Sequence, residues 1–300
     1  MTTWTTLAGG GGTAASSAHP FTTEDILATE GGLLTRRGKT LFATDFREGY
    51  AGFLPVHNAG GKEGAHGPHS LVDYPRSGLR IAAPGPWSTQ ASDVSSILRL
   101  SRPRAEDMVA SISFRYAQIN ELLTTAPSTT ARDKQLRQFG FGFDTQSWDN
   151  TERQFFQAYI ENTSDRNSDR LYLRSERTAA GNIQKITVPM TANSTGLMVG
   201  ANENKTNLAY ARLTVRVGKN PDYLELQMGG RVVDLRGLVA AGGQKIAEPL
   251  QLSPDDYSAN FRGGFNPFFN VMALPSATNL AATGVILTDA CVTYGDEVTA

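Results

Sequence analysis

Apolar residues alternate with polar or small residues along most of the chain after residue 38. Such alternation places successive side chains on opposite faces of an extended segment, so it predicts half-buried β-strands. About a dozen such segments, separated by turn-forming residues, predict an all-β fold with two antiparallel sheets. These segments are Leu41–Phe46, Leu79–Ala82, Ile97–Leu100, Val109–Tyr116, Phe139–Phe143, Phe155–Ile160, Leu171–Leu173, Ile183–Val188, Ala211–Val217, Tyr223–Met228, Arg231–Leu235, Phe268–Leu274 and Val285–Tyr294.

Turns and loops are predicted between these strands. Met228 and Arg231 flank a Gly-Gly pair, which can adopt the positive φ angles that a tight two-residue hairpin requires. Helical signal is scarce, and the stretch Arg132–Gln138 is too short to affect the architecture. Two segments, Gly49–Gly78 and Asn120–Arg137, predict long irregular loops, which in compact domains usually carry function or partner contacts.

The first 38 residues differ from the rest of the chain. They are small, polar and rich in glycine, so they bury too little apolar surface to fold alone. We expect a flexible arm over residues 1–38, with one short helix that begins at Thr22 and stops at Gly31. The predicted domain organisation is this arm followed by a β-sandwich over residues 39–300. A neighbouring subunit is the usual partner that orders an arm of this kind.

Composition excludes some classes of function. The chain has 300 residues, of which 40% are hydrophobic, enough to fill a sizeable core. Its 28 basic and 29 acidic residues leave a net charge of −1, which argues against binding to nucleic acid. No stretch approaches the roughly 18 apolar residues of a membrane span, and Met1–Thr13 does not resemble a secretory signal. We therefore expect no membrane partner, and a location in a virion or in the cytoplasm of the producing cell.

The order of the strands carries a resemblance. Leu41–Phe46, then Tyr210–Val217 with Tyr223–Arg231, then Gly284–Tyr294 form an opening strand, a middle pair with a short hairpin, and a closing strand. This order resembles the concanavalin A-like (laminin-G and legume-lectin type) β-sandwich superfamily over residues 40–295. The resemblance implies a lectin-like jelly-roll fold and says far more about fold than about function.

Catalytic residues are not predicted. Glycosidases of that superfamily carry a Glu-x-Asp-x-x-Glu strand, and no such string occurs in this sequence. Glycoside hydrolysis needs two carboxylates about 5 Å or about 6.5–9.5 Å apart. The nearest acidic group, Glu161 with Asp165 and Asp169, lies in a polar segment that reads as a loop. We therefore expect a protein that is not an enzyme.

Metal ligands are weakly indicated. His57, His66 and His69, followed by Asp73, are residue types that suit zinc, but their spacing is loose and glycine-rich. The oxygen-rich stretch 162–169 is typical of a calcium loop in composition, yet two arginines oppose a cation there. We expect ordinary loop histidines, a solvated turn, and no metal or cofactor.

Aromatic residues in predicted loops are candidate contacts. Trp87, Trp148 and Tyr74 can stack on a sugar ring or anchor an interface, and the alternative is a loop cap packed on the edge of the sandwich. By contrast, the aromatic run around Phe265 and Phe268 predicts core.

Basic residues form a second candidate contact. Arg99, Arg102 and Arg104 form the densest basic spot, which suits phosphate or an acidic neighbour, or else a solvated strand end. The single cysteine, Cys291, excludes an internal disulfide and predicts an inert core thiol.

Three hypotheses of function follow. The first, which we favour, is a structural assembly protein such as a capsid-surface or tail accessory of a bacterial virus. It would dock on other subunits, as a homo-oligomer or on a larger particle, through residues 1–38. The second is a carbohydrate-binding module for a cell-surface glycan. The third is a glycoside-active enzyme with an unrecognised acid pair.

Overall fold

The fold is a two-sheet β-sandwich. A computed structural model describes residues 39–46, 49–57, 65–70, 77–83, 92–103, 107–120, 136–149, 151–161, 170–177, 183–188, 209–228, 231–236, 250–252, 263–273 and 283–295. The strands are β1 (Lys39–Thr44), β2 (Phe53–His57), β3 (Ala65–Ser70), β4 (Ser77–Ala83), β5 (Ser92–Leu98), β6 (Leu100–Ser101), β7 (Asp107–Asn120), β8 (Leu136–Gln146), β9 (Arg153–Glu161), β10 (Arg170–Arg177), β11 (Ile183–Thr187), β12 (Ala209–Gly218), β13 (Asp222–Met228), β14 (Arg231–Asp234), β15 (Leu250–Leu252), β16 (Gly264–Ala273) and β17 (Thr283–Tyr294).

Each sheet has a continuous path of seven strands with short strands attached. Sheet A has the order β14-β13-β12-β7-β17-β4-β3, and β1 also pairs with β17. Sheet B has the order β11-β10-β9-β8-β16-β5-β2, with β15 on β9 and β6 on β16. Neighbouring strands in both sheets are antiparallel, for example β7 with β12 and β8 with β9. The predicted all-β, two-sheet antiparallel sandwich is therefore confirmed.

Aromatic residues fill the space between the sheets. Phe114 of β7 lies at the centre, with ring centroids 4.8 Å from both Phe141 and Phe269 of sheet B. Its edge-to-face geometry with these rings is a favoured arrangement for aromatic packing. Alternate residues of β8 and β9 enter this core, as the sequence pattern predicts. The other side chains of the same strands lie on the outer face of sheet B, which positions the candidate site.

Two central strands share one edge between two partners. On β17, the segment Thr283–Leu287 pairs with β4 and the segment 290–294 pairs with β1, while β7 pairs along the other edge. On β9, residues 157–161 pair with β10 and residues 153–155 pair with β15, while β8 covers the other edge. Each shared edge leaves a junction where the ladder changes partner.

Several local predictions can be compared with the strands. The hairpin is confirmed, because β13 pairs with β14 and Met228 is the partner of Arg231. The long irregular loop over Gly49–Gly78 is wrong, since β2 and β3 lie within it. Its period-two signal is hidden because β3 carries glycine, proline and histidine in place of branched apolar residues. Leu136–Gln138 are likewise the start of β8 rather than part of a helical stretch.

Other predictions lie outside the described residues. The arm over 1–38 with its short helix, and most of the loop over 120–137, belong to this part, so they stay predictions. The same holds for the boundary between arm and sandwich. No helix in the described ranges is long and apolar enough to span a membrane.

Candidate functional site

The outer face of sheet B combines aromatic, amide and basic side chains. Phe156, Ala158 and Ile160 of β9 belong to the core, so the alternate residues of that strand lie on the opposite side. Strand registers align these residues with neighbours on β8, β10 and β16. We call this surface the aromatic face, which comprises Gly140, Gly142, Phe155, Gln157, Tyr159, Tyr172, Arg174, Phe268 and Asn270.

Two stacked ring pairs dominate the aromatic face. Phe155 and Phe268 have centroids 4.9 Å apart and ring planes 17° from parallel. Tyr159 and Tyr172 are 5.4 Å apart and 26° from parallel. In each pair one ring is buried, with 4% of Phe268 and 2% of Tyr159 exposed, whereas Phe155 and Tyr172 are partly exposed. A partly exposed ring stacked on a buried ring is fixed in orientation, which reduces the entropy lost when a ligand binds it.

The glycines of β8 allow this arrangement. Gly142 is paired with Gln157 on one side and with Phe268 on the other. Because Gly142 has no side chain, the rings of Phe155 and Phe268 can meet across β8. A Cβ at Gly142 would lie 1.9 Å from the carbonyl oxygen of Phe156, so the close approach of β9 requires glycine there.

Amide groups line the region next to the rings. The side chain of Gln157 is buried, and its Nε2 would be 2.4 Å from a Cβ at Gly140, so the amide lies over that glycine. Its Oε1 makes no hydrogen bond to any residue that the structure describes. Asn270 donates a hydrogen bond of 3.1 Å from Nδ2 to Ser95 Oγ. The buried Gln157 Oε1 therefore has an unused capacity to accept a hydrogen bond beside the rings.

Charged groups lie at both ends of the aromatic face. Arg153 binds Asp144 through two hydrogen bonds, Nε to Oδ1 at 2.9 Å and Nη2 to Oδ2 at 2.7 Å. Glu161 lies six residues from Phe155 along β9, about 20 Å away at the usual rise per residue. Asp144 is the cross-strand partner of Phe155. The carboxylates of Asp144 and Glu161 are therefore too far apart for the separations that glycoside hydrolysis requires.

Tyrosine pKa values reflect the burial of this region. Desolvation by burial raises the pKa of Tyr159 well above its usual value, and the negative charge of Glu161 raises it further. Burial likewise raises the pKa of Tyr223, whose hydroxyl reaches sheet B from sheet A. Both phenols therefore stay protonated at physiological pH and can donate hydrogen bonds.

Tyr223 fixes the backbone beneath the aromatic face. Its Oη accepts a hydrogen bond of 2.7 Å from the backbone N–H of Gln157 and donates one of 2.6 Å to the carbonyl oxygen of Arg174. These two residues are cross-strand partners at the junction where the edge of β9 changes from β10 to β15. The hydroxyl thus satisfies two backbone groups near the point where the ladder is interrupted.

Two residues predicted as contacts lie together at one end of the sandwich. Trp148 Nε1 donates a hydrogen bond of 3.1 Å to the carbonyl oxygen of Arg102. The indole ring lies over Gly263, where a Cβ would be 2.3 Å from the ring. Arg102 is buried, and this burial lowers its pKa. The arrangement is that of a cap on the sandwich, although Trp148 remains 40% exposed.

The other predicted contacts are separated or lie elsewhere. Arg99 lies between β5 and β6 and is exposed, whereas Arg102 is buried, so these two residues do not form one exposed basic spot. Trp87, Tyr74 and Arg104 lie outside the described residues.

The histidines do not share one loop. His57 lies on β2 of sheet B, while His66 and His69 lie on β3 of sheet A. Among the described residues, no group of three or more His, Cys, Asp and Glu side chains is arranged to hold a metal ion.

Two core predictions need correction. Phe265 and Phe269 lie in the core, but Phe268 lies on the aromatic face, because adjacent residues of β16 point to opposite sides. Cys291 is buried as predicted, yet it is the partner of Ser113 on the outer face of sheet A rather than a core residue. Residues on the outer faces of these sheets can also be buried, so burial alone does not show that a residue belongs to the core between the sheets.

The aromatic face was missed at the sequence level, although a signal was present. The alternation in Phe155–Ile160 places Phe, Gln and Tyr on one side of the strand and core residues on the other. Tyr172 stands between two leucines, and Arg174 follows on the same side. Because both sides of β9 carry aromatic residues, the outer side is easily mistaken for core.

Comparison with known proteins finds no matching sequence and only solved structures of low similarity. No protein-family model matches the chain, and no curated protein sequence matches it. Similar solved structures include the CBM2 module of the evolved Dit of Lactobacillus casei BL23 phage J-1, with 8% identity, 88% of this chain and 98% of that chain covered, and a TM-score of 0.41.

Two further similar structures are a lectin and a lyase. The lectin UEA-II complexed with galactose has 8% identity, covers 85% of this chain and 99% of that chain, and has a TM-score of 0.37. Alginate lyase A1-II', a member of polysaccharide lyase family-7, has 9% identity, covers 77% and 84%, and has a TM-score of 0.36. At these identities and scores, the function of the present chain has to rest on its own residues.

Proposed function

We propose that this protein is a carbohydrate-binding module whose aromatic face receives an extended saccharide, and that it binds without catalysing a reaction. One observation carries the proposal: two partly exposed rings, Phe155 and Tyr172, are each stacked on a buried ring on the same side of one sheet. Sugars have apolar C–H faces and polar hydroxyl edges, so planar rings beside amide and guanidinium groups suit both parts.

The spacing of the rings favours a chain of sugars. Phe155 and Tyr159 are four residues apart on β9, about 13 Å at the usual rise per residue. Tyr172 is the cross-strand partner of Tyr159 on β10. The two ring pairs are therefore farther apart than a single sugar ring. One oligosaccharide can contact the ring of Tyr172 and the exposed part of Phe155, whose ring lies between Phe268 and Arg174.

Binding to a panel of immobilised polysaccharides and oligosaccharides tests the proposal. We expect Tyr172→Ala and Phe155→Ala each to weaken binding of the best ligand at least tenfold. Val232→Ala is a matched control, since Val232 is an exposed apolar residue of sheet A. Thermal unfolding of every variant monitors the fold. Unchanged binding in both aromatic variants, or no binding by the wild type to any member of the panel, would contradict the proposal.

The same panel addresses the enzyme hypothesis. Incubation with each polysaccharide, followed by an assay for reducing ends and for unsaturated sugar products, should give no product above background. A product whose formation is abolished by Asp144→Asn or Glu161→Gln would replace the binding role with a catalytic one.

The virion assembly role is compatible with glycan binding, because it involves a different part of the chain. It depends on residues 1–38, outside the described ranges, and it stays a prediction. Deletion of those residues should leave the sandwich folded and abolish an oligomer or particle association measured by light scattering. A full-length monomer that the deletion does not change would count against this role.

A further inference from the structure

Arg174 is a well-placed cation on the aromatic face. Its guanidinium carbon lies 5.8 Å from the centroid of the Phe155 ring, and the side chain is partly exposed. Its backbone carbonyl is held by Tyr223 from below. A guanidinium within about 6 Å of a ring centroid is attracted by the face of the ring, and its N–H donors form a planar fork.

Among the side chains that the structure describes, no carboxylate pairs with Arg174. The nearby Arg153 differs, because its guanidinium is paired with Asp144 through two hydrogen bonds. Lys185 of β11 is the cross-strand partner of Arg174, so the register adds a second basic residue to the same row. Glu161 belongs to β9 four residues beyond Gln157, about 13 Å along the strand. By register, Arg174 therefore shares a row with Lys185, Gln157 and Gly142.

We infer that the ligand of the aromatic face is an anionic saccharide, with its carboxylate or sulfate on Arg174 and a sugar ring on Tyr172. Arg174 and Tyr172 are two residues apart on β10 and share one side of the strand, about 7 Å from each other. That separation suits an acidic substituent and the ring that carries it. A planar guanidinium binds a carboxylate or sulfate through two parallel hydrogen bonds, which makes Arg174 the specificity-determining residue. This inference rests on the proposed carbohydrate-binding function.

Matched ligands that differ only in charge test the inference. An oligogalacturonate and its fully methyl-esterified form share the same rings, and dextran sulfate and dextran form a sulfated pair. Within at least one of these pairs, we expect titration calorimetry to show at least tenfold tighter binding to the charged ligand. The preference should shrink in 0.5 M NaCl, because salt screens charge–charge attraction.

Two variants of Arg174 and one control test whether Arg174 causes the preference for the charged ligand. Arg174→Gln should remove the preference for the charged ligand, and Arg174→Lys should retain only part of it, because lysine keeps the charge without the fork. Arg236→Gln is the control, since Arg236 is an exposed arginine just beyond β14 of sheet A and is paired with Asp234. It should behave as the wild type.

The outcomes separate this inference from the proposed function. Equal binding of charged and neutral ligands, or a charge preference that survives Arg174→Gln, would overturn the acidic ligand while leaving carbohydrate binding intact. Absence of binding to every neutral and charged ligand would overturn both. If Arg174→Gln fails to fold, three measurements still test the acidic ligand. They are the comparison of oligogalacturonate with its methyl ester, the salt dependence of binding, and the partial loss of preference in Arg174→Lys.

Discussion

The hydroxyl of Tyr223 on sheet A donates a 2.6 Å hydrogen bond to the backbone carbonyl of Arg174 on sheet B. The same oxygen accepts a hydrogen bond from the N–H of Gln157, so one phenol joins two strands of the opposite sheet. Tyr223 also packs edge-to-face on Phe156, with centroids 5.4 Å apart. Tyr223, a core residue, thus holds β10, the strand that carries Arg174.

Replacement of Tyr223 by phenylalanine should lower the free energy of unfolding by about 1–3 kcal/mol, because two buried backbone groups lose their shared partner. Chemical denaturation measures the change. Tyr294→Phe is a suitable control, since Tyr294 packs against the core and its hydroxyl makes no hydrogen bond to the described residues. Equal stability of wild type and Tyr223→Phe would show that the hydroxyl does not hold the junction.

A buried ion pair on sheet A should be the most sensitive polar contact. The guanidinium of Arg115 pairs with Asp289, and both side chains are at most 4% exposed. Thr288 donates a further hydrogen bond of 3.0 Å to Asp289 Oδ2. We expect Asp289→Asn to destabilise the fold by about 3–5 kcal/mol, since it leaves the charge of Arg115 buried without its counter-ion.

The control for Asp289 is an ion pair of the same chemistry at the surface. Asp234 accepts two hydrogen bonds from the guanidinium of Arg236, at 2.9 Å and 2.8 Å, and both residues are exposed. Water and salt screen such a pair, so Asp234→Asn should change the midpoint of denaturation little. Similar effects of the two substitutions would refute the role given to burial.

The two glycines of β8 should differ in their response to alanine. At Gly142 a Cβ meets the backbone carbonyl of Phe156, which cannot move without breaking the pairing of β8 and β9. At Gly140 a Cβ would overlap the amide of Gln157, the far end of a flexible side chain, and would make an ordinary contact with Tyr159 Cβ at 3.4 Å. We expect Gly142→Ala to cost about 3 kcal/mol and Gly140→Ala about 1 kcal/mol. Thermal and chemical denaturation measure both, and the reverse order would contradict the packing of the aromatic face.

The carboxyl group of Asp149 should titrate far below neutral pH. A hydrogen bond from Ser147 Oγ, at 2.6 Å, and others from Thr151 lower its pKa to about 2. A lowered pKa in the folded state stabilises the fold above the unfolded pKa of about 4, and this stabilisation is lost as the pH falls through the folded value. Carbon-13 NMR of the carboxyl should therefore show little change between pH 6 and pH 4.

Ser147→Ala removes the largest cause of this shift and should raise the pKa of Asp149 toward its usual value. The stability difference between wild type and variant should be greatest above pH 4 and should shrink as the solution is acidified. An Asp149 carboxyl that titrates alike in both proteins would show that the turn does not hold the carboxylate.

The alternation of apolar and polar residues was enough to predict the architecture, because each strand of an antiparallel sandwich has to bury one side. The same alternation did not separate core residues from outer-face residues where a strand buries both sides. Phe268 and Cys291 are buried, but each lies on an outer face, so hydrophobicity alone assigns them wrongly to the core. The candidate site needed the register of four strands, which places Gly142, Gln157 and Arg174 in one row. Registers between strands distant in sequence are set by tertiary packing rather than by local pattern.

Pairing of β1 with β17 joins residue 39 to residue 294, so the two ends of the sandwich are neighbours in one sheet. During synthesis, β1 leaves the ribosome long before β17, its partner in sheet A. Until β17 has been made, the edge of β1 is open to other chains. Closure of this part of sheet A therefore depends on a strand that is made late among those the structure describes.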